Sequence, residues 1–183
     1  YPEMYNKSKI EFDAYLAELN KFEKNTERYT KPVSEADRQD LMKIQSSFLN
    51  LLNSIIDKNY NERNFFTTFE IEQEKNERFG KDYTRVPKGL LINYNKSKDY
   101  VDYAEPDFEY TITDKNDYHH NFIMNAYYSG YLTRANYLMN YSKFNEAESL
   151  INKALAIKPN VPDAKQLQTK LNQLRSIPKD GEN

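Results

Sequence analysis

Residues 144–160 read FNEAESLINKALAIKPN, and this stretch decides the fold of the C-terminal third of the chain. Ala147, Ile151 and Ala154 recur at spacings of four and three, which predicts a helix with one buried face. Pro159 cannot continue a helix, so the pattern predicts that the helix ends just before it. A helix with such a face needs neighbours that cover it.

Helical patterns lie on both sides of this stretch. Upstream, the apolar residues are Met124, Tyr127, Tyr128, Tyr131, Leu132, Ala135, Leu138 and Met139. Turn residues at 140–143 interrupt this pattern, which predicts an antiparallel helical hairpin. Downstream, Pro162 suits a first helical position, and we expect a further helix that ends before Pro178. Its buried face is predicted to contain Ala164, Leu167, Leu171 and Leu174.

Residues 131–160 resemble one tetratricopeptide repeat, a helical hairpin in which small residues let the two helices approach closely. The small, bulky, small and terminating positions of the repeat are matched by Ala147, Ile151, Ala154 and Pro159. Positions that the repeat gives to Trp, Gly and Tyr are taken by Tyr131, Ala135 and Leu138. Arg134 departs from the pattern, which has Leu there. The resemblance implies a surface that binds a protein or peptide partner.

The first 60 residues predict a second helical hairpin. A helix is expected over 10–22, with Phe12, Tyr15, Leu16, Leu19 and Phe22 on its buried face. Ser34 and Asp37 have the spacing of a capping box, so a helix should begin there and run to the polar cluster at 57–59. Its face is predicted to be Leu41, Ile44, Phe48, Leu51, Leu52 and Ile55.

The middle of the chain, 61–116, predicts a small α/β segment. Aromatic and β-branched residues indicate strands at 65–71, 89–94 and 108–112, and charged residues indicate a short helix at 72–78 that Gly80 would end. The first two strands are expected to form a β-α-β unit. The fold class is therefore mostly α (α+β): tetratricopeptide-like hairpins at 117–178, a small two- to three-stranded sheet, and a disordered tail at 179–183, in one compact domain.

Composition narrows the function classes. The 183 residues carry 26 Lys and Arg against 28 Asp and Glu, a formal net charge of -2, which argues against nucleic acid as a partner. The absence of cysteine excludes disulfides and thiolate chemistry. Mean hydropathy is -0.96, and no stretch approaches the roughly 20 apolar residues of a membrane span. The chain starts Tyr1-Pro2-Glu3 without an initiator Met or a signal-like segment, so we expect a trimmed fragment.

A second resemblance covers the chain from residue 61 onward. The motifs are NERNFFT at 61–67 and DYTRVPKGLL at 82–91, followed by the helical hairpin. They look like the C-terminal soluble part of a bacterial membrane-protein family that is glycosyltransferase-like and similar to protein O-mannosyltransferases. The resemblance implies a periplasmic or extracytoplasmic domain, tethered to the membrane upstream of residue 1, although a cytoplasmic location stays open. The catalytic machinery of such enzymes lies in the membrane part, so no catalytic residue is assigned here.

His119 and His120, together with Asp114 and Asp117, form the nearest approach to a metal cluster. Adjacent helical residues point about 100° apart, so both imidazoles rarely reach one metal. We interpret this segment as the polar first turn of a helix, and we predict no metal site and no cofactor.

Acidic residues alternate with aromatic rings in the segment 99–108. The members are Asp99, Asp102, Glu105 and Asp107 with Tyr100, Tyr103 and Phe108. Rings that stack on sugars and carboxylates that bind hydroxyls make a glycan site one interpretation, and a hydrolase with paired carboxylates another. The favoured interpretation is a solvated acidic loop held by its rings, and no acid or base is assigned.

The tyrosines of the upstream helix complete the candidate residues. They could line a peptide-binding groove, and their helical spacing equally suits packing against the strand at 65–71. Periodicity favours the core for Tyr127 and Tyr131, whereas Tyr137 and Tyr141 are expected to point outward. The predicted binding residues are Tyr137, Tyr141, Tyr100 and Tyr103. The leading hypothesis is a non-catalytic protein- or peptide-interaction module. The alternative is an accessory extracytoplasmic domain of a membrane glycosyltransferase that contributes acceptor or sugar binding.

Overall fold

The computed structural model describes residues 2–24, 27, 30–68, 80–106, 108–112 and 117–177, without the side chains of 22 and 23. The described elements are α1 (Pro2–Lys7), α2 (Lys9–Lys24), α3 (Glu35–Asn59), β1 (Phe66–Thr68), β2 (Thr84–Lys88), β3 (Leu91–Asn95), α4 (Tyr118–Asn140), α5 (Phe144–Ile157) and α6 (Pro162–Ser176). Helix dominates and the strands form one small sheet, which confirms the mostly α (α+β) class. Two compact units divide these residues: 2–65 with 80–82, and 66–68 with 83–177.

The first unit is built on α3. Its predicted capping box is confirmed: the Asp37 N–H donates to Ser34 Oγ at 3.2 Å, and the Ser34 N–H donates to Asp37 Oδ2 at 3.1 Å. These bonds satisfy amides that the first helical turn leaves free. The helix α2 packs along α3, and the chain bends between α1 and α2 at the fully buried Ser8, whose Oγ accepts a hydrogen bond from Ser54 at 3.0 Å.

The buried face of α3 differs in part from the prediction. Leu51 is buried as expected, and Leu49 and Ile56 join it, but Phe48 is 41 % exposed. Its ring lies 5.3 Å from that of Tyr15, so the two rings cover each other at the edge of the helix pair. Leu16 is also partly exposed, and the predicted core position Phe22 lies outside the described side chains. The helix α1 was not predicted because its six residues bury no side chain.

The sheet has the order β1-β3-β2, and both pairings are antiparallel. A β-α-β unit has parallel strands. Strands β1 and β3, which correspond to the predictions at 65–71 and 89–94, run in opposite directions, so the predicted β-α-β unit is wrong. The predicted strand at 108–112 is also wrong, because these residues form no ladder. Strand β2 was missed because it contains Pro87, which is tolerated here in an edge strand. Residues 69–71 of the first predicted strand and the predicted helix 72–78 lie outside the described residues.

The turn between β2 and β3 depends on Gly89. Its φ is +60°, a conformation that side chains with a Cβ rarely adopt. A Cβ atom at this position would also lie 3.3 Å from Pro106 Cγ and 3.3 Å from Phe108 Cζ. The segment that follows the sheet therefore packs directly on this turn.

The helices α4, α5 and α6 confirm the predicted hairpin and the helix after it. Lys158 near the end of α5 contacts Asn125 near the start of α4, and Arg175 near the end of α6 bonds to Glu148 near the start of α5 at 2.9 Å. Successive helices are therefore antiparallel. Residues that let the helices approach are completely buried: Ala135, Ala147, Ile151, Ala154, Ala164 and Leu171. The predicted disordered tail at 179–183 lies outside the described residues. Within the described part of the chain, no helix has the length and apolar character of a membrane span.

Replacing Ser34 by Ala should lower the free energy of unfolding by about 1 kcal/mol, because the N-cap acceptor is lost. Urea unfolding followed by circular dichroism measures this change. Ser47→Ala is the matched control, since the Ser47 hydroxyl donates within the same helix to the Ile44 carbonyl. An equal loss in both variants would contradict a specific role for the cap.

Replacing Gly89 by Ala should destabilise the second unit by at least about 1 kcal/mol, because a left-handed backbone alone costs an L residue that much. Crowding against Pro106 and Phe108 adds to the loss. Gly89→Asn separates the two causes, since Asn tolerates a positive φ but has the same Cβ. Urea unfolding gives both values, and an Ala variant as stable as the wild type would refute this account of the turn.

Candidate functional site

An extended segment lies along one side of α4. We call it the strap; it comprises the described residues 96–106 and 108–112, which contain neither helix nor strand. It runs in the opposite direction to α4. The rings of Phe108 and Tyr110 each lie 4.9 Å from that of Tyr127 near the start of the helix, whereas Lys98 contacts Tyr141 just beyond its end. The strap thus covers about four turns of the helix.

Three tyrosines pack together at the C-terminal end of α4. The Tyr100 ring of the strap stacks on Tyr137 with centroids 6.1 Å apart, and it lies 5.5 Å from the Tyr141 ring. The rings of Tyr137 and Tyr141 are 4.9 Å apart. The Lys143 ammonium sits 5.1 Å from the Tyr100 centroid, close enough for a cation–π contact. One strap ring is therefore held by two rings and a cation.

The same tyrosines bind the backbone of the strap. The Val101 N–H donates to the Tyr137 hydroxyl at 3.0 Å, and the Tyr141 hydroxyl donates to the Lys98 carbonyl at 2.7 Å. Such bonds do not depend on the strap's side chains, so these two contacts suit any extended chain.

Arg134 lies at the centre of the site and is only 2 % exposed. Its Nε donates to the Glu105 carboxylate, and its Nη2 donates to the Tyr103 carbonyl at 3.4 Å. The guanidinium carbon lies 5.1 Å from the Tyr137 ring and 5.7 Å from the Tyr103 ring. The Nη1 atom is buried and meets no acceptor among the described residues. The ion pair with Glu105 therefore satisfies only some of the N–H donors of Arg134.

We call these six residues the Arg134 cluster: Arg134, Tyr137, Tyr141, Tyr100, Tyr103 and Glu105. The four predicted binding tyrosines all fall within it. Tyr137 was expected to point outward, but this prediction is wrong, since the strap covers it and leaves it 6 % exposed. Tyr141 is half-buried. Arg134 was missed as a site residue, although its departure from the repeat pattern was the available signal.

The two tyrosines of α4 that were predicted to lie in the core, Tyr127 and Tyr131, do pack with it. Tyr131 is buried as predicted, and the half-buried Tyr127 packs against the core. The rings that Tyr127 contacts are those of the strap residues Phe108 and Tyr110, which occupy the position predicted for the strand at 65–71.

The acidic residues of the strap have separate local partners. Asp99 accepts a hydrogen bond from the Ser97 hydroxyl at 2.7 Å, and Asp102 accepts one from the Tyr100 hydroxyl at 3.2 Å. Both carboxylates are exposed, whereas Glu105 is held by Arg134. Asp107 lies outside the described residues. The described carboxylates therefore give the hydrolase interpretation no support.

The segment around His119 and His120 is the polar first turn of α4, as the sequence predicted. Asp117 is the N-cap, and its carboxylate accepts the His120 N–H at 2.9 Å. His119 is exposed, and Asp114 lies outside the described residues. Within the residues that the structure describes, no group of three His, Cys, Asp or Glu side chains has the arrangement of a metal site.

Burial changes the electrostatics of the tyrosines. It raises the pKa of Tyr100 above the ordinary value, against the opposing effect of the Arg134 charge. Burial also raises the pKa of Tyr141, with a further contribution from Tyr137. Both phenols therefore stay protonated and can donate hydrogen bonds throughout the neutral range.

Comparison with protein-family models, with curated proteins and with solved structures finds no match to this chain. The function must therefore be argued from the geometry of the site.

Alkaline titration should resolve the buried phenols. Because folding raises the pKa of Tyr100 and Tyr141, the stability that they contribute is present below about pH 10 and declines as the pH rises beyond it. Tyrosinate absorbance should show a late-ionising fraction that decreases in Tyr100→Phe and in Tyr141→Phe. Tyr118→Phe, in an exposed part of α4, controls for the loss of one phenol. A late fraction unchanged in both cluster variants would contradict the assignment.

Proposed function

We propose that the second unit is a non-catalytic protein- or peptide-interaction module, and that its binding surface is the side of α4 that carries Arg134, Tyr137 and Tyr141. The observation that supports this function most directly is the strap itself. It shows an extended chain held by backbone hydrogen bonds, ring stacking and one ion pair on this surface. These are the interactions by which domains recognise extended peptides.

The arrangement of the three helices supports a tetratricopeptide-like module. Tyr128 lies near Asp163 at the start of α6, and Lys170 bonds to Asn136 at 3.0 Å, so α6 runs in the same direction as α4. A repeat followed by the first helix of the next one has this order. The outer positions of α6 are mostly polar and exposed, as in a terminal helix that shields the stack from water.

The surface is suited to recognition because its groups are already fixed. Helix α4 is packed on α5 through fully buried alanines, so the donors of Arg134, Tyr137 and Tyr141 keep a fixed spacing beneath the strap. Binding to a rigid surface loses less conformational entropy than binding to a mobile one. On the helix side, the cluster offers two rings and two hydroxyls, from Tyr137 and Tyr141, and the guanidinium of Arg134, groups that bind peptides well.

The alternative function, an accessory domain of a membrane glycosyltransferase, and the periplasmic or extracytoplasmic location stay predictions from the second resemblance. Several hydrophobic spans in the natural protein upstream of residue 1 would support them. A peptide-binding role is compatible with either location.

A panel of 12-residue synthetic peptides of varied charge and aromatic content tests the proposed function, with binding measured by fluorescence anisotropy. We expect a subset to bind, and Tyr141→Phe to weaken that binding about fivefold, because one hydrogen bond to a backbone carbonyl is lost. Tyr118→Phe is the matched control from an exposed part of the same helix. Absence of binding by every peptide, both to the wild type and to a Glu105→Gln variant with a weakened strap contact, would refute the function, as would equal weakening by both tyrosine variants.

A further inference from the structure

We propose that the strap is an intramolecular pseudo-ligand and that the ligand it imitates is an extended peptide with a tyrosine and, five residues later, a carboxylate. This inference rests on the proposed function, and it specifies the chemistry of the ligand. The protein would then be autoinhibited, since the strap occupies the surface that a partner needs.

The rings of Tyr103, Phe108 and Tyr110 also contact α4, and two other strap side chains combine with the backbone contacts into the recognition pattern that we infer. The Tyr100 ring is held between Tyr137, Tyr141 and Lys143, and the Glu105 carboxylate is bound by Arg134. The remaining polar contacts of α4 with the strap are made with its backbone. The spacing between this ring and this carboxylate therefore determines which peptides the surface binds.

Charge complementarity favours the same ligand. Residues 97–106 of the strap carry Asp99, Asp102 and Glu105 against one Lys98, so the strap is acidic on balance. The facing surface carries the cations of Arg134 and Lys143 and, near Tyr100, the carboxylate of Glu146. An acidic peptide is attracted to this surface and a basic one is repelled.

Arg134 also has donor capacity that the strap leaves unused. Its Nη1 is buried, and no described residue accepts a hydrogen bond from it. A buried donor without an acceptor is unfavourable, and a carboxylate that approaches the guanidinium side-on satisfies two nitrogens at once. A peptide in which the acidic side chain is free to adopt that geometry binds Arg134 better than Glu105 does.

The strap is held in a way that permits release. None of its described residues is buried, and it forms no ladder with the sheet. Segments with these properties open more readily than the packed helices beside them. Because the strap is covalently attached, its effective concentration at the surface is high, so a free peptide competes with it at a disadvantage.

The test uses the strap's own sequence as the probe, a fluorescein-labelled peptide SKDYVDYAEP that corresponds to residues 97–106. Wild-type protein should bind it weakly. Glu105→Gln in the protein weakens the internal competitor while leaving α4 intact, so the peptide should bind at least about tenfold more tightly. Tyr100→Ala, a second change confined to the strap, should act in the same direction.

Four controls make the result specific. Glu109→Gln changes an exposed strap carboxylate for which no contact is described, and should bind the peptide as the wild type does. A peptide with Gln in place of its Glu, and a scrambled peptide, should bind Glu105→Gln protein at least about tenfold more weakly. Adding Arg134→Gln to the Glu105→Gln protein should abolish the increase in affinity for the strap peptide. Thermal melts verify that each variant is folded.

Hydrogen exchange gives a second readout in the wild-type protein. Strap amides at 97–106 should exchange faster than the amides of α4, and faster still in Glu105→Gln. Equal protection of strap and helix would overturn the inference, as would equal peptide affinity in wild type, Glu105→Gln and Tyr100→Ala. If peptides of the varied panel bind, but the strap peptide binds Glu105→Gln no more tightly than it binds the wild type, only this inference fails. If Glu105→Gln and Tyr100→Ala bind neither the strap peptide nor any peptide of the panel, the proposed function fails as well.

Discussion

A guanidinium that leaves water gives up several kcal/mol of hydration, and Arg134 leaves it almost completely. The chain compensates locally with the Glu105 carboxylate, the Tyr103 carbonyl and the faces of two rings. Each of these partners except Tyr137 belongs to the strap. The buried charge therefore fixes the path of the strap, and the strap in turn buries Tyr137 and gives the second unit its aromatic side.

The helices on the other side of α4 make this arrangement rigid. Alanines at 135, 147 and 154 have no exposed surface, which indicates that α4 and α5 approach closely along their length. Such an interface leaves α4 little freedom to rotate. Side chains that project from its opposite side, at 134, 137 and 141, therefore keep the spacing at which they meet the strap. Packing on α5 and contact with the strap are thus made by two different faces of one helix.

Local signals predicted the helices well and the sheet poorly. The capping box at Ser34 and Asp37 and the proline after α5 act within one helical turn, so their effects are visible in the sequence. The pairing of β1 with β3 depends on contacts between distant residues, and no local pattern encodes its direction. The four tyrosines predicted as binding residues lie together in the Arg134 cluster, but the orientation of Tyr137 depended on a buried charge at Arg134. Periodicity ranks positions by hydrophobicity, and it therefore cannot anticipate a buried arginine.

Pro87 lies in β2, at one edge of the sheet, next to the charged residues Arg85 and Lys88. Val86 and Pro87 are buried, with α4 packed near β2, so this edge is partly covered. A strand from another molecule that reached it would also find no N–H at Pro87 and two positive charges beside it. Those features oppose the edge-to-edge pairing by which exposed sheets recruit further chains into aggregates. The residue that concealed β2 from sequence reasoning thus also makes this edge a poor template for intermolecular strand pairing.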